Sequence, residues 1–346
     1  MHKPLSAKTD LKNLNRGEIG DFLESLGQKR FHASQILRWI YQRGVVDFAA
    51  MTDLSKDLRG KLENIVFVSE LQREAVEVSR DGTRKFLFRL ADGERIETVL
   101  IPMEKGRNTL CVSTQAGCAM QCAFCLTGSF GLVRNLSAAE IVNQVSAVRR
   151  DDEVDNIVLM GMGEPLHNLD NVVKALDILY DDKGFCYGSR KVTLSTCGLV
   201  PAMVELGVRS KVGLAVSLNA TTDEIRSRLM PVNRRYPLAE LMAACRAYPL
   251  QPRQRITFEY ILISGVNDSQ ADAKRLVRLL HGIPAKVNLI AYNEHSGSPF
   301  KTPPEEAIAA FQSHLLSRNL VAVRRASKGR DISAACGQLK GKSADL

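Results

Sequence analysis

The group of reactive side chains with the closest spacing in this sequence is a triplet of cysteines in the segment GCAMQCAFC. Cys118, Cys122 and Cys125 follow the pattern C-x3-C-x2-C. Thiolates this close together are typical ligands of iron or zinc, because soft sulfur binds both metals strongly. A structural zinc ion takes four protein ligands, so a zinc site here needs Cys111 or a distant residue as well. A [4Fe–4S] cluster held by three thiolates instead keeps one iron open to a small molecule.

Polar residues follow several predicted strands, where a parallel sheet places its active site. The segment GMGEPL, with Gly163 and Glu164, comes directly after the strand predicted at 156–160. Glycines there let the backbone approach a ligand, and Glu164 can accept a hydrogen bond from a ligand ammonium group. Taken singly, the polar residues at the later strand ends are better explained as caps or turns. Together they indicate a site for an adenosine and a carboxylate: Ser195, Ser217, Leu218, Asn219 and Asn293.

Strands and helices alternate from residue 110 onward, and this alternation must position the candidate groups. Strands are predicted at 110–113, 156–160, 191–195, 212–218, 256–263 and 286–291. Helices are predicted at 137–148, 168–180, 198–206, 237–248, 269–281 and 304–317, the first with a capping box of Ser137 and Glu140. Six such repeats predict parallel β/α units, with the active site at the carboxyl ends of the strands. The pattern does not distinguish a barrel from a flat sheet.

Two shorter regions precede the β/α units. Residues 1–65 predict a small helical domain, with Thr52 as the cap of its third helix. Residues 66–104 alternate in polarity around Asp81-Gly82 and Asp92-Gly93, which predicts a β-meander linker. Residues 105–346 then form the core, including a C-terminal segment with Cys336. The helical domain carries basic residues that suit RNA docking, among them Lys29, Arg30, Arg38 and Arg43.

Composition limits the class of protein. The 346 residues suffice for one large α/β domain and a small accessory one. The eight cysteines are too sparse for a secreted disulfide scaffold. We find no signal-peptide pattern and no apolar run near the ~18 residues of a membrane span, so we expect a cytoplasmic protein with no membrane partner. The net charge of +9 is equally compatible with an RNA-binding surface and a solvated basic surface.

Four longer segments resemble one known family. They are IETVLIP, CVSTQAGCAMQCAFC, GMGEPL and GRDISAACGQL, and they are similar to segments of the RlmN/Cfr family of radical S-adenosylmethionine (SAM) RNA methyltransferases. The resemblance extends from the N-terminal helices to Leu339. It implies an α/β fold with a partial (β/α)6 TIM-like barrel, a [4Fe–4S] cluster on Cys118, Cys122 and Cys125, and SAM on the open iron. It also implies 23S rRNA and tRNA as substrates, an electron donor such as flavodoxin or ferredoxin, and a monomer.

The resemblance also implies a reaction. Carbon 2 of adenine is electron-poor, so direct displacement of methyl from SAM is closed to it and a radical route is needed. In this route Cys336 takes a methyl group from one SAM, and a 5′-deoxyadenosyl radical from a second SAM activates that methyl for addition to adenine. Glu97 then removes the ring proton, and Cys111 attacks Cys336 to release the RNA, leaving a disulfide. Without the resemblance, Glu97 is one exposed strand residue among many.

Two other functions stay open. Methylation of adenine carbon 8, the Cfr activity, needs the same five cysteines and the same cofactors, so no motif separates it from methylation of carbon 2. A non-catalytic, zinc-stabilised RNA-binding protein is a different class, and Cys111, Cys336 and GMGEPL argue against it. Asn219 stands where the family pattern has His. Three further cysteines match no catalytic role and are interpreted as structural: Cys186, Cys197 and Cys245.

Overall fold

The computed structural model describes residues 8–295 and 297–341, and its first part is helical. The elements are β1 (Thr9–Asp10), α1 (Arg16–Ser25), α2 (His32–Leu37), α3 (Lys56–Ile65) and β2 (Val66–Phe67), with β1 and β2 paired in parallel. Helices are therefore present in this region, as predicted, and residues 1–7 of the predicted domain lie outside the described residues. The prediction of Thr52 as a cap was wrong. The helix begins later, and the Ser55 side chain accepts the hydrogen bond from the Leu58 N–H at 3.2 Å.

Three antiparallel strands follow and confirm the β-meander. They are β3 (Gln72–Val78), β4 (Arg84–Arg89) and β5 (Arg95–Pro102). The two turns between them contain Gly82 at φ +83° and Gly93 at φ +89°, a backbone conformation that favours glycine. The strand β5 pairs with β6 (Asn108–Cys111), the first strand of the β/α units. The meander thus continues the sheet of the following region through backbone hydrogen bonds.

The cysteine triplet lies in an excursion between β6 and the next strand of the main sheet. This excursion consists of β7 (Gln115–Gly117), α4 (Leu126–Ser129) and β8 (Leu132–Asn135), and it leads into α5 (Ala138–Val148). The strands β7 and β8 form a small antiparallel sheet of their own. The predicted capping box of α5 is present, with Ser137 and Glu140 each accepting a hydrogen bond from the other's backbone N–H.

The remaining chain repeats strand and helix and confirms the six β/α units. Its elements are β9 (Asn156–Leu159), α6 (Leu169–Tyr180), β10 (Val192–Thr196), α7 (Val200–Arg209), β11 (Gly213–Ser217), α8 (Asp223–Leu229), α9 (Leu238–Ala247), β12 (Ile256–Leu262), α10 (Gln270–Leu279), β13 (Ala285–Ala291), α11 (Glu305–Ser317) and β14 (Ala322–Arg325). The last of these strands, β14, is a seventh parallel strand of the sheet, and it was not predicted from the sequence. The sheet runs in the order β14-β13-β12-β11-β10-β9-β6-β5-β4-β3 and is open, with β14 and β3 at its edges.

The parallel strands are apolar because helices cover them. Three of the five residues of β11 and six of the seven residues of β12 are buried, as expected for strands inside a parallel sheet. No helix in the described part of the chain combines the length and the apolar character of a bilayer-spanning segment. Since parallel strands end at the same edge of a sheet, the residues that follow β9 to β14 are brought together there.

Candidate active site at the carboxyl ends of the strands

An open cavity lies at the carboxyl ends of the parallel strands. Most of the predicted site residues line it: Cys118, Cys122, Cys125, Gly163, Glu164, Ser195, Ser217, Asn219 and Cys336. Four predicted residues are not part of the cavity wall in the described structure: Glu97, Cys111, Leu218 and Asn293.

The loop between β7 and α4 presents the three cysteines of the motif. Its backbone is held at both ends, with the Cys118 N–H donating to the Gly131 carbonyl at 2.8 Å and the Ala123 N–H donating to the Leu229 carbonyl at 2.9 Å. A third bond, from the Cys125 N–H to the Cys122 carbonyl at 3.0 Å, closes a tight turn. The three thiols therefore face one cavity.

Burial and neighbouring thiols oppose the ionisation of Cys118 and Cys122. Burial is the largest cause that raises the pKa of Cys118 to about 12 and the pKa of Cys122 well above its usual range, and Cys125 raises both further. Three ionised thiols in such surroundings need cations bound to them. No three His, Cys, Asp or Glu side chains of residues 8–295 and 297–341 converge on a point where one metal ion would bind. A four-iron cluster takes each thiolate on a different iron, so this donor set fits a cluster.

Gly163 and Glu164 form the cavity wall after β9. Gly163 has φ +100°, and a Cβ there would lie 2.6 Å from the Gln115 Cβ, so only glycine fits. Glu164 is buried, and its two carboxylate oxygens accept hydrogen bonds from the Leu166 N–H at 3.0 Å and the Cys197 N–H at 2.8 Å. Burial is the main cause that raises the pKa of Glu164, and these hydrogen bonds oppose it. A ligand ammonium group would further favour the charged carboxylate.

The ends of β10 and β11 supply further polar groups. Ser195 and Ser217 line the cavity. Asn219 lines it in a left-handed conformation with φ +55°, which asparagine adopts more readily than most residues, and its Oδ1 accepts from the Ile261 N–H at 2.9 Å. Leu218 is fully buried, and its carbonyl accepts from Arg226 Nε at 3.1 Å.

The segment with Cys336 closes one side of the cavity. On one side of this residue, Lys85 Nζ donates to the Ile332 carbonyl at 2.7 Å. On the other side, the Leu126 N–H donates to the Gly337 carbonyl at 2.8 Å. The segment therefore bridges the meander and the end of the cysteine loop, and it presents Cys336 to the cavity.

Cys111 and Cys336 are electrostatic neighbours. Cys111 is buried at the end of β6, whereas Cys336 is exposed, and no disulfide joins them. Burial is the largest cause that raises the pKa of Cys111, Cys336 raises it further, and Arg325 opposes the rise. Asn293 supports this arrangement from outside the cavity wall, because its Nδ2 donates to the Cys336 carbonyl at 3.4 Å.

Glu97 is buried, with 1% of its surface exposed, which corrects the expectation of an exposed strand residue. Its Oε2 accepts hydrogen bonds from the Lys340 N–H at 2.7 Å and the Gly341 N–H at 3.1 Å. Its Oε1 lies 3.4 Å from Lys85 Nζ. The expectation failed because the end of the chain covers this face of β5, and strand alternation carries no information about so distant a segment.

The sequence reading missed several residues of the cavity. Arg325 ends β14, a strand that was not predicted, and Glu259 lies within β12. Glu259 is buried, and its Oε2 has no hydrogen-bond partner in the described part of the chain. The sequence feature that could have identified Glu259 is the presence of a carboxylate within the apolar strand ITFEYIL. Cys197, interpreted as structural, also lines the cavity.

Two family models match the chain. Residues 9–68 match the ribosomal RNA large subunit methyltransferase N-terminal domain, and residues 112–277 match the radical SAM superfamily. The dual-specificity RNA methyltransferase RlmN of Syntrophotalea carbinolica is 66% identical, over 97% of this chain and 90% of that protein. The RlmN of Geobacter sulfurreducens is 59% identical, over 96% of this chain and 92% of that protein.

A solved structure agrees with these relatives. The crystal structure of a radical SAM methyltransferase from Sphaerobacter thermophilus is 46% identical and superposes with a TM-score of 0.89, covering 96% of this chain and 100% of that chain. The predicted fold class and enzyme class are therefore confirmed. The chain is an enzyme of the radical SAM type, and its cofactors are a [4Fe–4S] cluster and SAM. It belongs to the family of RlmN dual-specificity RNA methyltransferases.

Proposed function

We propose that this enzyme methylates carbon 2 of an adenine in 23S rRNA and in tRNAs, with the methyl group carried by Cys336. The observation that supports this proposal is that Cys336 lines the same cavity as the three motif cysteines. A simple metal-binding loop has no need of a further thiol facing its ligands. The match of residues 9–68 to the ribosomal RNA methyltransferase domain supports an rRNA substrate.

Different residues around the cavity would bind the cluster and the different parts of SAM. Cys118, Cys122 and Cys125 would hold the cluster, while Glu164 and the backbone at Gly163 would hold the amino group of SAM. The carboxylate and the adenosine of SAM would lie against Ser195, Ser217 and Asn219, which line the cavity, whereas Leu218 and Asn293 lie outside its wall and would support it from behind. When bound, the cluster and SAM supply a carbon-centred radical. The protein would orient the ligands and keep water away from them. The side chains of the cavity wall that would exclude water are apolar: Met120, Phe124, Met160, Met230 and Ile261.

The two remaining cysteines carry the methyl group and release it. The Cys336 sulfur forms a bond to the methyl carbon while the sulfonium–methyl bond of SAM breaks. After the carbon bound to the Cys336 sulfur has joined the adenine, and the ring proton and the unpaired electron have left, the Cys111 thiolate forms a disulfide with Cys336 while the bond from the Cys336 sulfur to that carbon breaks. The carbon takes up a proton and stays on the freed RNA as its methyl group. Two electrons must then reduce this disulfide before the next turnover. Two sulfurs must come into contact to form a disulfide. The effect of Cys336 on the pKa of Cys111 supports this pairing, because it means that the two thiols are close neighbours.

Cys111→Ala should trap the RNA on the protein. Without an attacking thiol, the bond between Cys336 and the added carbon persists, so free methylated product should fall to background. Denaturing electrophoresis of labelled RNA and intact-protein mass spectrometry would detect the adduct. Cys245→Ala, which also removes a buried cysteine, is the matched control and should release product normally. Free methylated RNA at the normal rate from Cys111→Ala would contradict the releasing role.

We propose Glu97 as the base that takes the ring proton. Its carboxylate is held by the Lys340 and Gly341 N–H groups and by Lys85. For Glu97 to reach an adenine, residues 340 and 341 must release it when RNA enters. Its Oε1 has no hydrogen bond in the described part of the chain and lies 3.4 Å from Lys85 Nζ, so Oε1 is the oxygen that would take the proton once Lys85 moves aside.

Glu97→Gln should lower RNA methylation about 100-fold or more, the size of a general-base contribution. Glutamine keeps the shape and an oxygen acceptor for the two N–H groups, but it cannot take a proton. Methylation of Cys336, followed by mass spectrometry of the protein, should be unchanged. Glu77→Gln is the matched control, because Glu77 also pairs with Lys85, at 2.9 Å, yet lies on the outer strand β3. Equal losses in the two variants would remove Glu97 from the chemistry.

We propose that the RNA is held by shape and phosphate contacts, with its adenine unstacked to reach Cys336. The basic face of the N-terminal helices is the candidate surface. There Arg43 lies over the Trp39 ring, with the guanidinium 3.9 Å from the ring centre, whereas Arg30 is engaged by Asp21 and Glu24. We further propose that the enzyme acts as a cytoplasmic monomer and receives electrons from a donor such as flavodoxin or ferredoxin.

The proposed function is tested by nucleoside mass spectrometry. Unmodified rRNA and tRNA are incubated anaerobically with reconstituted enzyme, SAM and a reductant, and the products are separated against standards. The expected product is 2-methyladenosine in both RNAs. The appearance of 8-methyladenosine would assign the Cfr reaction instead, and SAM cleavage without methylated adenosine would show that the substrate is wrong. Zinc instead of iron in the purified protein would favour the non-catalytic alternative.

A further inference from the structure

A buried arginine without a counter-ion lies beneath the cavity. Arg226, on α8, is the largest fully buried side chain in the described part of the chain, with 0% of its surface exposed. It donates from Nε to the Leu218 carbonyl at 3.1 Å, and from Nη2 to the Cys197 carbonyl at 2.7 Å and the Ser217 carbonyl at 3.2 Å. Its Nη1 donates to Asn233 Oδ1 at 3.0 Å. Every one of these acceptors is neutral.

The Asp223 carboxylate is connected to Arg226 through the Asn233 side-chain amide. Asn233 Nδ2 donates to Asp223 Oδ1 at 2.9 Å, and Asp223 is exposed to solvent. Burial lowers the pKa of Arg226, but the guanidinium keeps its charge because arginine starts from so high a value. A buried charge without a partner is strongly unfavourable. Its energy improves when an anion arrives nearby.

The cysteine loop is the place where such an anion would form. The carbonyl of Leu229, at the end of α8, accepts the hydrogen bond from the Ala123 N–H, between Cys122 and Cys125. The Cys197 and Ser217 carbonyls that Arg226 binds belong to residues that line the cavity together with the three motif cysteines. Arg226 is not part of the cavity wall in the described structure. It therefore acts on a ligand there through its field and not through contact.

We propose that Arg226 is a positioning residue whose positive charge makes the iron–sulfur cluster easier to reduce. This inference rests on the proposed ligation of the cluster by Cys118, Cys122 and Cys125. Three thiolates already bring negative charge to the cluster, and reduction by an external one-electron donor adds one more. A fixed positive charge in a water-poor interior favours the reduced form, and net charge is one of the quantities that set the potential of such clusters. Neutral acceptors suit this role, because a carboxylate partner would cancel the field.

The test compares the midpoint potential of the reconstituted cluster in three variants with that of wild type. The potential is measured by an anaerobic dithionite titration with redox mediators, followed by the electron paramagnetic resonance signal of the reduced cluster. In Arg226→Gln the ratio of reduced to oxidised cluster at a fixed potential should fall about tenfold, a shift of about 59 mV to more negative potential for one electron. Arg226→Lys keeps the charge and should stay within about threefold of wild type.

The third variant leaves Arg226 untouched. The double substitution D223N/N233D moves the carboxylate from solvent to the atom that accepts the Arg226 Nη1 hydrogen bond, without changing the net charge. It should shift the potential in the same direction as Arg226→Gln. If Arg226→Gln proves unable to retain iron, this double variant decides the question. If Arg226→Gln and D223N/N233D hold full iron and keep the wild-type midpoint potential, the proposed role of Arg226 is wrong and the proposed ligation of the cluster is unaffected. Full iron content in Cys118→Ala would overturn the ligation on which it rests.

Discussion

Cys336→Ala should abolish methylation of RNA while the iron content and the cleavage of SAM persist. The thiol is the proposed carrier of the methyl group, and alanine offers no atom that can accept it. The cluster does not depend on Cys336, because its three proposed ligands lie on a separate loop. Nucleoside mass spectrometry should therefore show no methylated adenosine above background, while chromatography still detects 5′-deoxyadenosine.

The control for this variant is Cys186→Ala. Cys186 is the other exposed cysteine of the chain, and it is not part of the cavity wall in the described structure. It should keep wild-type methylation. Undiminished product from Cys336→Ala would remove the methyl-carrier role. Loss of iron together with loss of product would instead mean that the C-terminal segment is needed to build the cluster site.

Cys118→Ala should reduce the iron content to background and remove the brown colour. Two thiolates remain after this change, and a cluster bound by only two protein ligands is easily lost. Iron analysis and the absorption near ~400 nm of thiolate-bound iron measure the outcome after anaerobic reconstitution. Methylation and SAM cleavage should disappear together, unlike in Cys336→Ala.

Cys197→Ala is the matched control for the cluster. Cys197 lines the same cavity but lies outside the C-x3-C-x2-C motif, so the Cys197→Ala variant should retain iron at the wild-type level. Iron retention in Cys118→Ala would contradict the ligand assignment. Metal loss in Cys197→Ala would identify a fourth protein ligand, and a site closed by four thiolates would leave no open position for SAM.

The order of strands and helices was predictable from the sequence because its causes are local. The predicted helix at 137–148 is found at 138–148, since an apolar face and the Ser137–Glu140 capping box lie within a few residues of each other. The two meander turns were predictable from Asp-Gly pairs for the same reason. The short elements β14 and α8 were missed. Four to seven residues carry too little periodicity to separate a strand or a short helix from a loop.

Site residues that lie in one short motif were predictable from the sequence. Site residues that the fold brings together from distant segments were less predictable. Cys118, Cys122, Cys125, Gly163 and Glu164 line the cavity as their segments suggested. The burial of Glu97 depends on Lys340 and Gly341, which are far away in the chain. Arg226 was not predicted to be near the site, because the charge of a single arginine in a helix is usually exposed to solvent. Only the packing of α8 shows that its charge is enclosed.

The anchoring of the Cys336 segment sets the order in which the enzyme can assemble. Ser79 binds Asp331 across 252 positions of the chain, and Lys85 binds Ile332 across 247. Contacts this distant form late, because a large loop must close first. During synthesis the cysteine loop and most strands exist before the Cys336 segment leaves the ribosome. The side of the cavity that carries Cys336 is therefore completed by contacts that become available only after the rest of the site has been synthesised.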